Sequence, residues 1–461
     1  MKSNNLDLVI AEYISKDITQ DENHFFSSKL AILDTVGCII EASSHKEVME
    51  FASINNLSLN FKNPFKNLTV DHSYENISWY LTVLTRWFDY NDTFLAKEWA
   101  HPSDNFGSIY SYFYKNRNYK FNDFANALTK AYEIQGSLCL GTSLNKLGYD
   151  HVFYVKLASG SVFSYLVNNG DTNALRRTVN NILLDGPSLR AYRHFPNVGK
   201  RKSWAAADAS RRGIQLALIS SYEDEIYESV QSEDKWGFEP SFLENTKIEF
   251  GKELNNWVIQ NILFKVLFPA EFHGQSAVEA AIKLSEEFNK NIDELERVNI
   301  YTHEPAIRII SNKEILKNAS DRDHSMEYMV AAALLYGDLK YEMYEESFEG
   351  FENINNLRKK IFVSEEPKFT KNYYEFSKRH ISNSIEIVYS DKSISEKITI
   401  ENPIGHPSRR EEAIPLLRDK FIRNVESIFD IGKASEIWDK IINLEKNDDL
   451  NKFFNILIED E

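Results

Sequence analysis

The segment Arg86-Trp87-Phe88-Asp89-Tyr90-Asn91-Asp92-Thr93 and, after four residues, Glu98-Trp99-Ala100-His101-Pro102-Ser103-Asp104-Asn105 combine carboxylates, an imidazole and turn formers at the end of an apolar helix. Carboxylates beside a histidine can take and give protons near neutral pH. Asn91, Asp92 and Pro102 also favour tight local turns, so these residues alone fit a well-made loop equally well. His151 poses the same choice. It stands between Asp150 and the apolar run Val152-Phe153-Tyr154-Val155, where a histidine is more often a hydrogen-bonded core residue than a catalyst. A third cluster, Arg190, Arg193, His194, Lys200, Arg201 and Lys202, ends at Ser203, the expected cap of a long helix. A cation at a helix start is unfavourable unless an anion is present. The functional reading is therefore a clamp for a carboxylate or phosphate, and charge alone fits a solvated basic loop better. Arg322, His324, Arg409 and Arg410 are weaker candidates of the same kind.

The elements that hold these residues read as helices in the first half. Leu30, Leu33, Val36 and Ile40 share a face after Ser27 or Ser28, and further helices are expected over 77–88, 122–138, 178–184 and onward from Ser203. The pattern fails over 222–256, a charged and aromatic stretch with Gly237, Pro240 and Gly251. Beyond it, Ala277, Ala281, Leu284 and Phe288 make a helix face, and residues 297–303 alternate as a strand. Ser325 or Asp323 can cap a helix that Gly337 stops, and residues 385–389 and 398–400 read as a hairpin. The tail from Glu411 is helical again. The expected fold is mainly α: a large all-helical domain over 1–255, a smaller α+β domain over 256–410, and helices over 411–461 that return to the first.

With 461 residues, the chain can bury a large core without staples. Its net charge of −16 argues against nucleic acid and anionic membrane as partners, and no stretch is apolar over the roughly 20 residues of a membrane span. A cytoplasmic protein is expected. Two cysteines, Cys38 and Cys139, make neither a disulfide framework nor the usual set of about four thiolates around an iron–sulfur cluster. The sequence also lacks the glycine-rich dinucleotide and phosphate loops, the nucleophile elbow and the His-Glu-x-x-His zinc motif.

Taken together, the blocks resemble the MmgE/PrpD family, and most strongly its branch that dehydrates 2-methylcitrate. The resemblance rests on the two segments above and continues in order through Glu133-Ile134-Gln135-Gly136, Asp150-His151-Val152, residues 185–190, Tyr192-Arg193-His194 and residues 201–208. It ends with residues 268–273, Thr302-His303-Glu304, residues 321–324 and Pro403-Ile404-Gly405-His406. It implies a site between the two domains, a homodimer, a small tricarboxylate as substrate, and no metal or organic cofactor. Carried over residue by residue, it implies catalytic roles for Asp89, Thr93, His101, His151 and Lys202. It further implies substrate contacts from Arg193, His194, Ser203, His273, Gln275 and Arg322, with Gln275 standing where the family has another active-site histidine.

The implied reaction removes water from 2-methylcitrate to give cis-2-methylaconitate in the methylcitrate cycle of propionate catabolism, with side activity on citrate and cis-aconitate. The proton on the methyl-bearing carbon is weakly acidic, so a base must take it while cations hold the neighbouring carboxylate. Hydroxide leaves poorly without an acid. His101 and His151 are the acid/base candidates, and which of them is base stays open. The alternatives are cis-aconitate decarboxylation, epimerisation of a small dicarboxylate, or a non-catalytic binding protein on the same fold.

Overall fold

The structure, a computed structural model, describes residues 5–17, 21–54, 63–194, 196–288, 292–311 and 313–459. Helices dominate up to Ser220. The longest, Glu22–Ser43, starts where the Asp21 carboxylate accepts the His24 N–H. That is earlier than the expected start at Ser27 or Ser28, because Ser28 turns its hydroxyl back onto the Phe25 carbonyl. Ser73 caps Tyr74–Arg86 and Asp171 caps Thr172–Asp185 through the same satisfaction of free N–H groups. The long helix Arg201–Ser220 begins before Ser203, whose hydroxyl donates to the Trp87 carbonyl instead of capping. Helix Val152–Val167 has no counterpart among the sequence expectations. It is buried from Val152 through Ser164, so no polar face marks its period.

One hydrophobic core gathers side chains from Leu6 to Val266 and then takes in Ala413 to Leu457 from the helices Arg410–Val425, Ile431–Ile442 and Leu450–Ile458. A second core gathers Phe268 to Ile400. Between them the chain forms two tiny strands, β1 (Phe94–Leu95) and β2 (Trp99–Ala100). The second core is built on β3 (Leu295–Thr302), β4 (Ile361–Glu365), β5 (Asn383–Tyr389) and β6 (Ile398–Ile400), in the order β4-β3-β5-β6. β3 and β4 are parallel, and the β3–β5 and β5–β6 pairs are antiparallel. The strand and hairpin read from the sequence are present. Strand β4 has only Ile361 fully buried, which leaves no alternation to read. Helices Gln275–Ser285 and Met326–Tyr336 pack with this sheet. Ser325 caps the latter and Gly337, at φ 66°, stops it. Among the described residues no helix is long and apolar enough to cross a membrane.

Candidate active site

The first motif folds into a loop stapled by its own polar groups. Helix Tyr74–Arg86 ends, and the chain turns through Asp89 at φ 51°, a left-handed conformation that aspartate tolerates better than most residues. Asn91 donates to the Ser103 hydroxyl (2.7 Å), while Ser103 gives its N–H (3.0 Å) and its hydroxyl (2.6 Å) to one Asp92 oxygen. The β1–β2 turn then returns the chain so that His101 Nδ1–H donates to the Asp92 carbonyl at 2.7 Å. Most polar residues of the motif therefore shape the loop, and Asp89, Thr93 and His101 face inward.

The other walls are brought in by separate backbone pairings. Thr93 and Leu263 exchange both backbone hydrogen bonds, which lays Lys265 beside the loop. Gly405, at φ 97°, lets the backbone pass so close to the Phe264 carbonyl that a Cβ there would sit 1.9 Å away. Asp150 donates its N–H to Ser188, and Arg190 donates its N–H to Gly148, so His151 lies next to Arg190 and Arg193. The resulting cleft is lined by Arg86, Asp89, Thr93, His101, His151, Arg190, Arg193, His194 and Lys265. Leu95, Trp99, Glu271, Phe272, Ile309 and His324 complete the lining. The cleft as it stands has about 20 Å³ of free space, room for a water molecule, so a larger ligand enters only if its walls move apart.

Asp89 is the hub of the charges. Arg86 donates to its Oδ1 at 2.5 Å, and Lys265 lies 3.1 Å from the same oxygen while also donating to the Asp89 carbonyl. Burial alone would raise the Asp89 pKa, but Lys265, Arg86, Lys202 and His101 together hold the carboxyl well below the usual carboxylate range. His101 Nε2 stands 3.6 Å from Asp89 Oδ1, and Thr93 Oγ1 lies 3.4 Å from Nδ1. Burial, helped by Arg86, pushes the His101 pKa well below 6.5 against the pull of Asp89. With Nδ1–H committed to Asp92, the neutral ring presents a lone pair at Nε2.

The His101 and His151 rings are 6.1 Å apart. Burial with Arg193, Arg190 and Arg86 keeps His151 neutral, although its Nδ1 is 3.3 Å from Asp150. Arg193 is spent on Asp150 at 2.5 Å. Arg190 is not spent. Its Nε donates to His194 at 3.2 Å, while Nη1 and both His151 nitrogens are buried without a hydrogen-bond partner. Such orphaned groups cost free energy unless a ligand meets them.

The remaining expected residues divide. His194 lines the cleft and is exposed. Lys202 is one step removed from it. Its ammonium lies 2.8 and 2.9 Å from the two Asp323 oxygens, 2.9 Å from His324 Nδ1 and 3.9 Å from Asp89. Asp89, Asp323 and His324 are also the group of described residues placed closely enough to hold a metal ion, and the Lys202 ammonium already sits among them. Ser203, bonded to Trp87, does not reach the lining. His273 lies behind Glu271, donating from Nδ1 at 2.8 Å, with Tyr373 at its Nε2. Burial would raise the Glu271 pKa, but the adjoining His273 brings it down to about 2. Gln275 gives its amide to the Phe268 and Ala270 carbonyls, and Arg322 binds the Tyr344 carbonyl and Glu346, so both are turned away from the cleft. Lys265 went unread in the sequence. A lysine in the apolar run Ile262–Phe268 was the available signal, since an isolated cation there has to be paired.

Two family models divide the chain between them, the MmgE/PrpD N-terminal domain over residues 9–251 and the MmgE/PrpD C-terminal domain over residues 268–446. The chain belongs to the MmgE/PrpD family. Among curated MmgE/PrpD-like relatives, it is 36% identical over 446 residues to "2-methylcitrate dehydratase" of Escherichia coli (strain K12), an alignment covering 94% of this chain and 91% of that one. It is 34% identical to the mitochondrial 2-methylcitrate dehydratase of Yarrowia lipolytica, covering 93% and 85% of the two chains. The 2-methylcitrate dehydratase of Cupriavidus necator is likewise 34% identical, covering 91% and 90%.

Proposed function

We propose that this member of the MmgE/PrpD family is a 2-methylcitrate dehydratase, a hydro-lyase that forms cis-2-methylaconitate in the cleft between the two cores. The observation that carries the reading is the pairing of a neutral, hydrogen-bond-oriented His101 with an ionised Asp89, beside the unsatisfied buried donor of Arg190. A tricarboxylate needs cations, and of the four that line the cleft, Arg86, Arg193 and Lys265 are paired with Asp89 or Asp150 while Arg190 keeps a buried donor without a partner.

In this reading His101 Nε2 takes the proton from the methyl-bearing carbon, and Asp89 stabilises the imidazolium that forms. Arg190 holds a substrate carboxylate through Nη1. The carbon–oxygen bond breaks, and Lys265 gives a proton to the departing hydroxide, which leaves as water. Burial lowers the Lys265 pKa, with Asp89 opposing and Arg86 adding, which makes it a better acid than a free lysine. His101 and Lys265 both lie on Asp89 Oδ1, so the proton gained by one can return to the other when product leaves. Slow turnover of citrate and cis-aconitate, a homodimer and a cytoplasmic location belong to the same proposal. The test is an assay of the purified, chelator-treated protein against 2-methylcitrate, citrate and cis-aconitate, with sedimentation for the dimer. Release of carbon dioxide from cis-aconitate in place of hydration chemistry would move the protein to the decarboxylase reading.

A further inference from the structure

The apolar part of the cleft is made by four side chains. Leu95 and Trp99 are direct partners across β1 and β2, so they flank the short path from Thr93 to His101. Phe272 comes from the turn Phe272–Gly274 and Ile309 from the helix Glu304–Ile310. Leu95, Trp99 and Phe272 are packed into one small cluster with Leu263, Tyr373 and Ile381, and are 4%, 6% and 1% exposed. Their apolar surface is already covered. Ile309 packs against the edge of this cluster and of the second core but is only half-buried, and it lines the cleft. It is the apolar lining residue with surface still to cover.

The ligand has a matching feature. If the functional reading above holds, the substrate carries three carboxylates and a hydroxyl, all of which need polar partners, and one methyl group that needs an apolar one. That methyl is on the carbon that gives up its proton, so its subsite must adjoin the base. The β1–β2 pair leads into His101, and Leu95, Trp99, Ile309 and His101 line the same cleft. We propose that Ile309, backed by Leu95 and Phe272, forms the subsite for this methyl group and is the residue that sets preference for 2-methylcitrate over citrate. Leu95 comes from β1, and Phe272 and Ile309 from the chain beyond residue 268, and the small cluster is what brings them together.

One methyl in an apolar pocket is worth about 10–200-fold in kcat/KM. The experiment measures kcat/KM for 2-methylcitrate and for citrate, by ultraviolet absorbance of the conjugated products, in wild type, Ile309→Ala and Ile309→Phe. Truncation removes the contact and the larger ring fills its space, so the methylcitrate-to-citrate ratio is expected to fall about tenfold or more in both. Ile309→Val keeps the test open should the larger changes fail to fold; its expected fall is about threefold. A ratio that stays at the wild-type value in the folded variants, with both substrates affected equally, overturns the subsite while leaving the dehydratase reading intact. A folded wild-type protein that turns over neither substrate overturns the dehydratase reading itself.

Discussion

Lys202, in the first turn of a helix of the first core, grips both oxygens of Asp323 in the second, at 2.8 and 2.9 Å. The sequence reading gives this lysine to a substrate carboxylate; in the structure a carboxylate of the protein takes that place. Lys202 is thus both the clasp between the walls of the cleft and a cation adjoining it. Lys202→Ala is expected to lower stability by about 1–3 kcal/mol, since it takes the cation from the part-buried Asp323 carboxylate, and Asp323→Asn in the same chain should restore part of the loss. Denaturant unfolding of both variants checks this.

The same contact sets an acid limit. Burial would raise the Asp323 pKa, but Lys202 and then His324 bring it below 3.8. The stabilisation from this depressed carboxyl is complete above that unfolded value and is lost as pH falls through the folded one. Wild type should lose stability on acidification over this range, and Asp323→Asn should show a smaller dependence there.

His101→Gln is expected to lower kcat by about a hundredfold or more, the low end for a positioned base. The pKa of His101 is depressed well below 6.5, so the base is already free at neutral pH. The wild-type kcat/KM profile should fall on acidification as His101 is protonated and again at high pH as Lys265 loses its proton. Asp89 raises the His101 pKa, so Asp89→Asn should move that acid limb still lower while kcat drops about tenfold or more. Steady-state kinetics across pH separate the two effects.

Arg190 and Arg322 should part company. Arg190→Met removes a charged donor meant for the ligand, and KM for 2-methylcitrate should rise by the equivalent of about 1.5–3 kcal/mol. Arg322→Met breaks contacts to Tyr344 and Glu346 inside the second core. Its melting temperature should fall while KM of the folded enzyme stays near wild type.

Asp104 lies behind the motif with neither oxygen hydrogen-bonded and Arg86 Nε 3.5 Å away. Burial pushes its pKa up to about 7. The native chain therefore keeps a proton that the unfolded chain releases. This contribution is whole below the unfolded value of 3.8 and is lost as pH rises to about 7. Asp104→Asn should gain on wild type by about 1–3 kcal/mol across that interval, read from unfolding curves at its two ends.

What was legible in the sequence followed from local signals. The helix capped by Ser325 and stopped by Gly337, the strand Leu295–Thr302 and the hairpin of β5 and β6 all carry their own punctuation or alternation. Helix Val152–Val167 carries neither, being buried on all sides. In the site, Asp89, Thr93 and His101 share one stretch of chain, and His151 and Arg193 stand in recognisable blocks. Lys265 belongs to no block. It reaches Asp89 only through the pairing of Thr93 with Leu263, a contact between residues far apart in sequence. The turning away of Gln275 and Arg322 is likewise decided by the backbone carbonyls near them in the fold.

Dehydration of 2-methylcitrate in the cleft around Asp89 and His101 can be followed by mixing purified wild-type protein and His101→Gln with 2-methylcitrate and recording the ultraviolet absorbance of the conjugated product. Wild type should give a steady rise, and folded His101→Gln a rate lower by about a hundredfold or more. No rise with folded wild-type protein, or equal rates for the two, would contradict it.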